Sequence, residues 1–163
     1  MRHTRLAALL LAAVTCGCYE ASVPLGPPGA IAVDAAIVGT WQCAPPPEDK
    51  SDSQATLVVM PFDEAQYVAE WTEGTDTDRY RVYASRAGSQ VLLNVRALEP
   101  RLKPQSWVFM RYRIDAAGRL NLAIVRDKAL EGLAERDALD AIRARVAEAS
   151  IYESPIFCTR KRD

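Results

Sequence analysis

The chain has 163 residues, of which 49% are hydrophobic and 25% charged, with 20 basic and 21 acidic side chains. This size and composition predict one globular domain, and the lack of a basic excess disfavours a nucleic-acid-binding protein. The single histidine, His3, lies in a segment interpreted below as a removed export signal. A mature chain without histidine has no Ser-His or Cys-His catalysis and no His-ligated metal. We therefore expect a protein that is not an enzyme and holds no cofactor or metal, although lysine or carboxylate chemistry stays open.

Residues 1–17 have the pattern of an export signal. Arg2 and Arg5 precede an apolar run, 6–14, that is too short for a transmembrane helix of about 20 residues but suits a signal peptide. Gly17 followed by Cys18 resembles the lipobox of bacterial lipoproteins, in which a cysteine after a small residue receives diacylglycerol before cleavage. Cys18 is the predicted lipid attachment site, and Cys16, preceded by Thr15, is the alternative.

This resemblance implies a protein anchored to the cell envelope through its N-terminal lipid. Two or more acyl chains give stable anchoring, whereas one gives only marginal binding. Tyr19 follows the cysteine, and it is not the aspartate that retains many lipoproteins in the inner membrane. The outer membrane is therefore favoured, with the domain facing the periplasm or the cell surface, and the inner membrane stays open.

Residues 18–36 are predicted to form the lipidated end and a tether, because prolines and glycines are frequent there. Pro-rich linkers are extended at about 3.1 Å per residue, so we expect the tether to hold the domain away from the bilayer. Packing of this segment on the domain is expected for residues 31–33 alone. The folded domain is assigned to residues 37–163.

Eight strands are predicted in that domain, because apolar and polar residues alternate in short segments separated by turn-forming residues. Short turns force neighbouring strands to be antiparallel, which predicts an up-and-down meander. A segment at about 128–149, rich in Ala, Leu, Glu and Arg, is predicted to be helical, capped by Asp137 in its second part and interrupted within 132–137. The predicted strands are 40–43, 55–62, 66–72, 79–85, 90–97, 106–114, 119–126 and 155–161.

Cys43 lies in the first predicted strand and Cys158 in the last. Two cysteines that remain in an exported domain are expected to form a disulfide, which requires Cα atoms within about 7 Å. Sequential strands whose first and last members meet form a closed barrel. The predicted fold is therefore mainly β, an up-and-down antiparallel barrel of about eight strands with a helical segment before the last strand, and a sandwich is the alternative.

Gly39 and Trp41 open the first strand and resemble the Gly-x-Trp motif of the lipocalins. The resemblance implies an eight-stranded barrel whose closed end is plugged by Trp41, with a basic residue near the chain end, Arg160 or Arg162, packed across the indole. Lipocalins also have a disulfide between an early part of the barrel and the C-terminal region. Their long helix follows the eighth strand, whereas the helix predicted here precedes the last strand. No ligand-binding position is carried over from the family.

Aromatic residues on the predicted strands are candidates for an apolar pocket, and packed core is the alternative. The exposed face of the strands carries Arg79, Arg81, Arg96, Arg111 and Arg113, which we interpret as solvated exterior rather than an anion site. We expect the barrel to bind a small apolar or amphipathic ligand. The alternative is a structural lipoprotein with a filled barrel that contacts another envelope protein. The candidate pocket residues are Tyr67, Trp71, Tyr80, Trp107, Phe109 and Tyr112.

Overall fold

The computed structural model describes residues 17–45, 54–98 and 106–161. The predicted signal peptide lies outside these residues, apart from Gly17. Nine antiparallel strands and one α-helix, α1, occupy the described part of the chain, and α1 precedes the last strand. The strands are β1 (Glu20–Ala21), β2 (Gly39–Ala44), β3 (Ala55–Pro61), β4 (Gln66–Glu73), β5 (Asp76–Ala87), β6 (Gln90–Ala97), β7 (Trp107–Ile114), β8 (Leu120–Ile124) and β9 (Ile156–Arg160).

Strands β2 to β9 close into an eight-stranded antiparallel barrel, as predicted. Each strand pairs with the next in sequence from β2 to β9, and β9 pairs with β2. The disulfide between Cys43 and Cys158 joins directly opposed residues of β2 and β9. Both the closure and the predicted disulfide are thus confirmed.

The segment predicted as an extended tether packs against the barrel instead. Its first part forms β1, in which Glu20 pairs with Val108 and Ala21 with Trp107 of β7. Leu25, further along the same segment, is 4% exposed. A high proline content limits regular structure to the two residues of β1, but apolar side chains of the segment still become buried against the barrel.

The predicted helical segment is divided as expected but is shorter. A 3₁₀ turn (Asp127–Ala129) comes first, Gly132 then adopts a positive φ of 79°, and α1 (Glu135–Arg145) follows. The helix starts at Glu135, so Asp137 lies inside its first turn and is not the N-cap. A second 3₁₀ turn (Ala149–Ile151) leads to β9. Among the described residues, no helix is long and apolar enough to cross a membrane.

Two apolar cores lie on opposite sides of the barrel wall. The inner core lines the barrel interior and includes Trp41 at its closed end. The outer core lies between the strands β5 to β8 and a cover made of α1 and the segment 17–26, called here the N-terminal arm. Side chains alternate between faces along each strand, so these strands supply residues to both cores.

Candidate functional site

The barrel encloses an apolar cavity of about 470 Å³ that is open at one end. Ligand-binding pockets commonly have volumes of about 300–1,000 Å³. The walls come from inward-facing positions of the seven strands β3 to β9, and Ile37 lies at the closed end. The wall residues include Leu57, Val59, Ala69, Trp71, Tyr80, Val82, Leu93, Val95, Val108, Met110, Tyr112, Leu122, Ile124 and Ile156.

The polar lining residues are concentrated at the open end, called here the mouth, which Cys18, Glu20, Leu98 and Ser106 line. The Ser106 hydroxyl donates a hydrogen bond of 2.8 Å to Glu20 Oε2. An apolar wall with a polar rim suits an elongated amphipathic molecule that inserts its apolar part and leaves its polar part near solvent.

The closed end of the barrel is sealed by Trp41. Its indole N–H donates to the Ile37 carbonyl at 2.9 Å, and the ring is 1% exposed. The guanidinium carbon of Arg160 lies 4.3 Å from the centre of this ring. Arg160 thus takes the place that the lipocalin resemblance assigned to a basic residue near the chain end, while Arg162 lies outside the described residues.

A polar cluster lies at the inner side of the same seal. Tyr112, on the cavity wall, donates to Asp34 Oδ2 at 3.1 Å, and the Asp34 backbone N–H donates to the Tyr67 hydroxyl. Burial, followed by the nearby Asp34 carboxylate, raises the pKa of Tyr112 to about 12. Burial likewise raises the pKa of Tyr67. Both phenols are therefore neutral at ordinary pH.

The six aromatic residues predicted to line a pocket separate into three groups. Trp71, Tyr80 and Tyr112 line the cavity. Tyr67 lies in the inner core at the closed end and is not part of the cavity wall. Trp107 and Phe109 belong to the outer core, so their assignment to the pocket is wrong. They alternate along β7 with Val108, Met110 and Tyr112, and a strand presents alternate residues to opposite faces.

Most of the cavity wall is aliphatic, whereas only aromatic residues were predicted to line a pocket. The signal was present, because Leu57 and Val59 on β3 and Val82 on β5 alternate with outward-facing residues. Cys18 and Glu20 were missed as lining residues because a two-residue strand has no recognisable period in the sequence.

The arginines interpreted as solvated exterior lie outside the cavity wall. Arg79 forms an ion pair of 2.7 Å with Glu70, and Arg81 donates to the Gln66 side chain. Arg96 and Arg111 stack on Trp107 and Tyr152 respectively, both of which belong to the outer core. In the described parts of the chain, no group of three or more Cys, His, Asp or Glu side chains is placed to hold a metal ion.

The barrel is compatible with a lipocalin-like fold. Comparison of the chain with protein-family models, with curated proteins and with solved structures finds no match.

Proposed function

We propose that this protein is a lipid-anchored envelope lipoprotein whose barrel binds a small apolar or amphipathic ligand. The observation that carries the proposal is the open apolar cavity of about 470 Å³. The alternative, a structural lipoprotein that contacts an envelope partner through a filled barrel, requires an interior without such a space. The cavity therefore favours ligand binding.

The remaining parts of the proposal come from the sequence. The apolar run before Gly17 and Cys18 supports export and acylation at Cys18, and Tyr19 supports the outer membrane. The proposal includes no catalytic role, because the one histidine, His3, is removed with the signal peptide and no motif supplies a nucleophile with its base.

The proposal is tested on protein purified without its lipid anchor, by extracting bound lipids for mass spectrometry and by titrating the protein with a fluorescent fatty-acid analogue. A bound lipid-like molecule and saturable dye binding that an unlabelled fatty acid displaces are expected. Absence of both a copurifying molecule and dye binding would refute ligand binding.

Two neighbouring valines of β3 give a matched pair of variants. Val59 lines the cavity, whereas Val58 is a half-buried residue of the opposite face. Val59→Phe places a ring in the cavity and is expected to weaken dye binding at least tenfold, whereas Val58→Phe leaves it unchanged. Equal effects of the two substitutions would mean that the dye binds elsewhere.

The lipid anchor is tested separately by the substitution Cys18→Ser. This change is expected to abolish lipid labelling, and unchanged labelling would point to Cys16.

A further inference from the structure

The N-terminal arm forms part of the barrel wall at the mouth. At this point β8 separates from β7, and residues 18–21 lie between β7 and the segment that follows β8. On one side Glu20 pairs with Val108, and on the other Cys18 forms a bridge with Arg126 and the Tyr19 N–H donates to the Val125 carbonyl at 3.0 Å. Cys18 is therefore held in an extended strand at the edge of the cavity.

The two faces of this strand have different surroundings. Tyr19 and Ala21 are buried in the outer core, at 8% and 1% exposure. Cys18 and Glu20 alternate with them and line the cavity mouth. Since successive side chains of a strand point to opposite faces, the Cys18 side chain is directed to the cavity side.

Contacts beyond β1 fix the rest of the arm on the barrel. The buried Asn94 side chain accepts a hydrogen bond of 2.9 Å from the Leu25 N–H, and Tyr83 donates to the Gly26 carbonyl at 2.8 Å. Ser22 donates from its backbone and its hydroxyl to the Glu135 carboxylate of α1. Cleavage before Cys18 removes Gly17 and with it the hydrogen bond that Asp127 donates to the Gly17 carbonyl, but none of these contacts. The arm is therefore fixed to the barrel, and it holds Cys18 at the mouth.

A lipid attached to Cys18 consequently begins at the opening of an apolar cavity. The inward-facing residues Val108, Met110 and Tyr112 extend four residues along β7, or about 14 Å at a strand rise of about 3.4 Å. One leaflet of a bilayer is about half of the hydrocarbon thickness of about 30 Å. The apolar wall thus runs about as far along the tilted β7 strand as an acyl chain in a leaflet is long.

We infer that the cavity is occupied by one acyl chain of the lipid on Cys18 itself, with the mouth of the barrel facing the bilayer. This inference rests on the proposed function, because it requires both acylation of Cys18 and an apolar binding cavity. The acyl chain leaves one apolar environment for another. The lipoprotein resemblance implies a diacylglycerol on the Cys18 sulfur and a third acyl chain on its amine, so two chains remain in the membrane, which is enough for stable attachment.

Occupation of the cavity by the acyl chain on Cys18, called here self-occupation, affects the binding of any other ligand. A covalently attached chain competes at an effective concentration set by its short tether, which for short flexible connections is in the millimolar range. A free fatty acid or a bilayer phospholipid enters only by displacing the attached chain. The anchor then regulates the site in addition to locating the protein.

The inference is tested in cells that express the full chain and grow on a fatty acid carrying a photoreactive diazirine. This fatty acid enters both the anchor and the phospholipids. After irradiation, purification and proteolysis, mass spectrometry identifies each cross-linked peptide. We expect a cross-link that joins the Cys18 peptide to peptides of β3, β4 or β7. We also expect Val59→Phe to reduce it several-fold, with Val58→Phe as the unchanged control.

The other outcomes separate the two proposals. A cavity peptide cross-linked to a phospholipid or a fatty acid that is not attached to Cys18 overturns self-occupation and leaves ligand binding intact. Cross-links from the Cys18 lipid to bilayer lipids alone, with no adduct on the cavity strands, overturn self-occupation and count against ligand binding as well. A mature chain without lipid on Cys18 overturns self-occupation, and dye binding to that chain then decides ligand binding separately.

Discussion

Arg160 lies directly opposite Trp41 in the antiparallel pair of β9 and β2, and its guanidinium carbon lies 4.3 Å from the centre of the indole ring. The same guanidinium donates to the Val38 carbonyl at 2.8 Å and the Ala36 carbonyl at 2.6 Å. Arg160 therefore joins β9 to the turn that precedes β2, and it holds the closed end of the barrel together.

Replacing Arg160 by Ala is expected to lower the free energy of unfolding by about 1–3 kcal/mol, because a cation–π contact and two charge-assisted hydrogen bonds are lost. Arg160→Lys keeps the charge but not the planar fork, and an intermediate loss is expected. Denaturant unfolding followed by tryptophan fluorescence measures both. Lys161→Ala, at the exposed neighbouring residue, is the control and should be close to neutral. An equal loss in the control would show that Arg160 has no special role.

Substitution of Gly39 is expected to destabilise the fold, in part because Arg160 occupies the space beside it. It has a φ of 134°, and a Cβ at this position would lie 2.6 Å from Arg160 Nη1. Gly39→Ala should therefore destabilise the fold by about 1–3 kcal/mol, through backbone strain and displacement of the guanidinium. In the Arg160→Ala background the second part disappears, so the two losses should be less than additive. Gly74→Ala is the control, since Gly74 also has a positive φ but has open space around it. Strict additivity would contradict the steric coupling.

The disulfide is expected to contribute most to the stability of the barrel closure. Residues 43 and 158 are separated by 115 positions, and the chain-entropy estimate for such a loop approaches about 5 kcal/mol. Replacing both cysteines by Ala should lower the free energy of unfolding by about 2–5 kcal/mol, as loss of a native disulfide commonly does. A thiol assay on the unfolded wild-type protein should find both cysteines blocked. Reactive thiols at these two positions would contradict the pairing in the cell.

The barrel was predictable from the sequence because its strands have a clear period of two and its turns are short. Gln90–Ala97 is the same in the prediction and in the structure, and β9 differs by one residue at each end. The two cysteines and the Gly39-x-Trp41 pattern added long-range information, which indicated where the sheet closes and which end is sealed.

The N-terminal arm was not predictable in the same way, because its structure depends on distant partners. Leu25 is ordered by Asn94 and by Arg143, which donates to its carbonyl, and neither residue is near it in sequence. The side of β7 that faces the cavity was likewise ambiguous. Both faces of this strand carry large apolar residues, since the arm and α1 cover its outer face.

Asn94→Leu is expected to loosen this arm. The Asn94 side chain is fully buried, accepts from the Leu25 N–H, and donates to Ser85 Oγ at 2.8 Å and to the Tyr83 carbonyl at 3.3 Å. Leucine has a similar size but leaves the Leu25 N–H without its acceptor, which costs about 1–3 kcal/mol. Hydrogen exchange should increase at Leu25 and in β1 more than in β3 and β4. Asn121→Leu, which removes a more exposed amide, is the control. Unchanged exchange in the arm would contradict the anchoring role of Asn94.

Tyr112 is expected to make the fold less stable in strong alkali. Its pKa in the folded protein is about 12, against an ordinary value of 10.0, so the unfolded chain loses this proton at lower pH than the folded chain does. The contribution is complete below pH 10 and is lost as the pH rises towards 12, because the unfolded state then binds fewer protons. For one group the slope is at most about 1.4 kcal/mol per pH unit. Tyr112→Phe should remove this part of the slope in unfolding measurements across that range. Asp34→Asn, which removes the neighbouring carboxylate, should lower the pKa of Tyr112 in a spectroscopic titration of tyrosinate. An unchanged titration in Asp34→Asn would mean that burial alone sets this pKa.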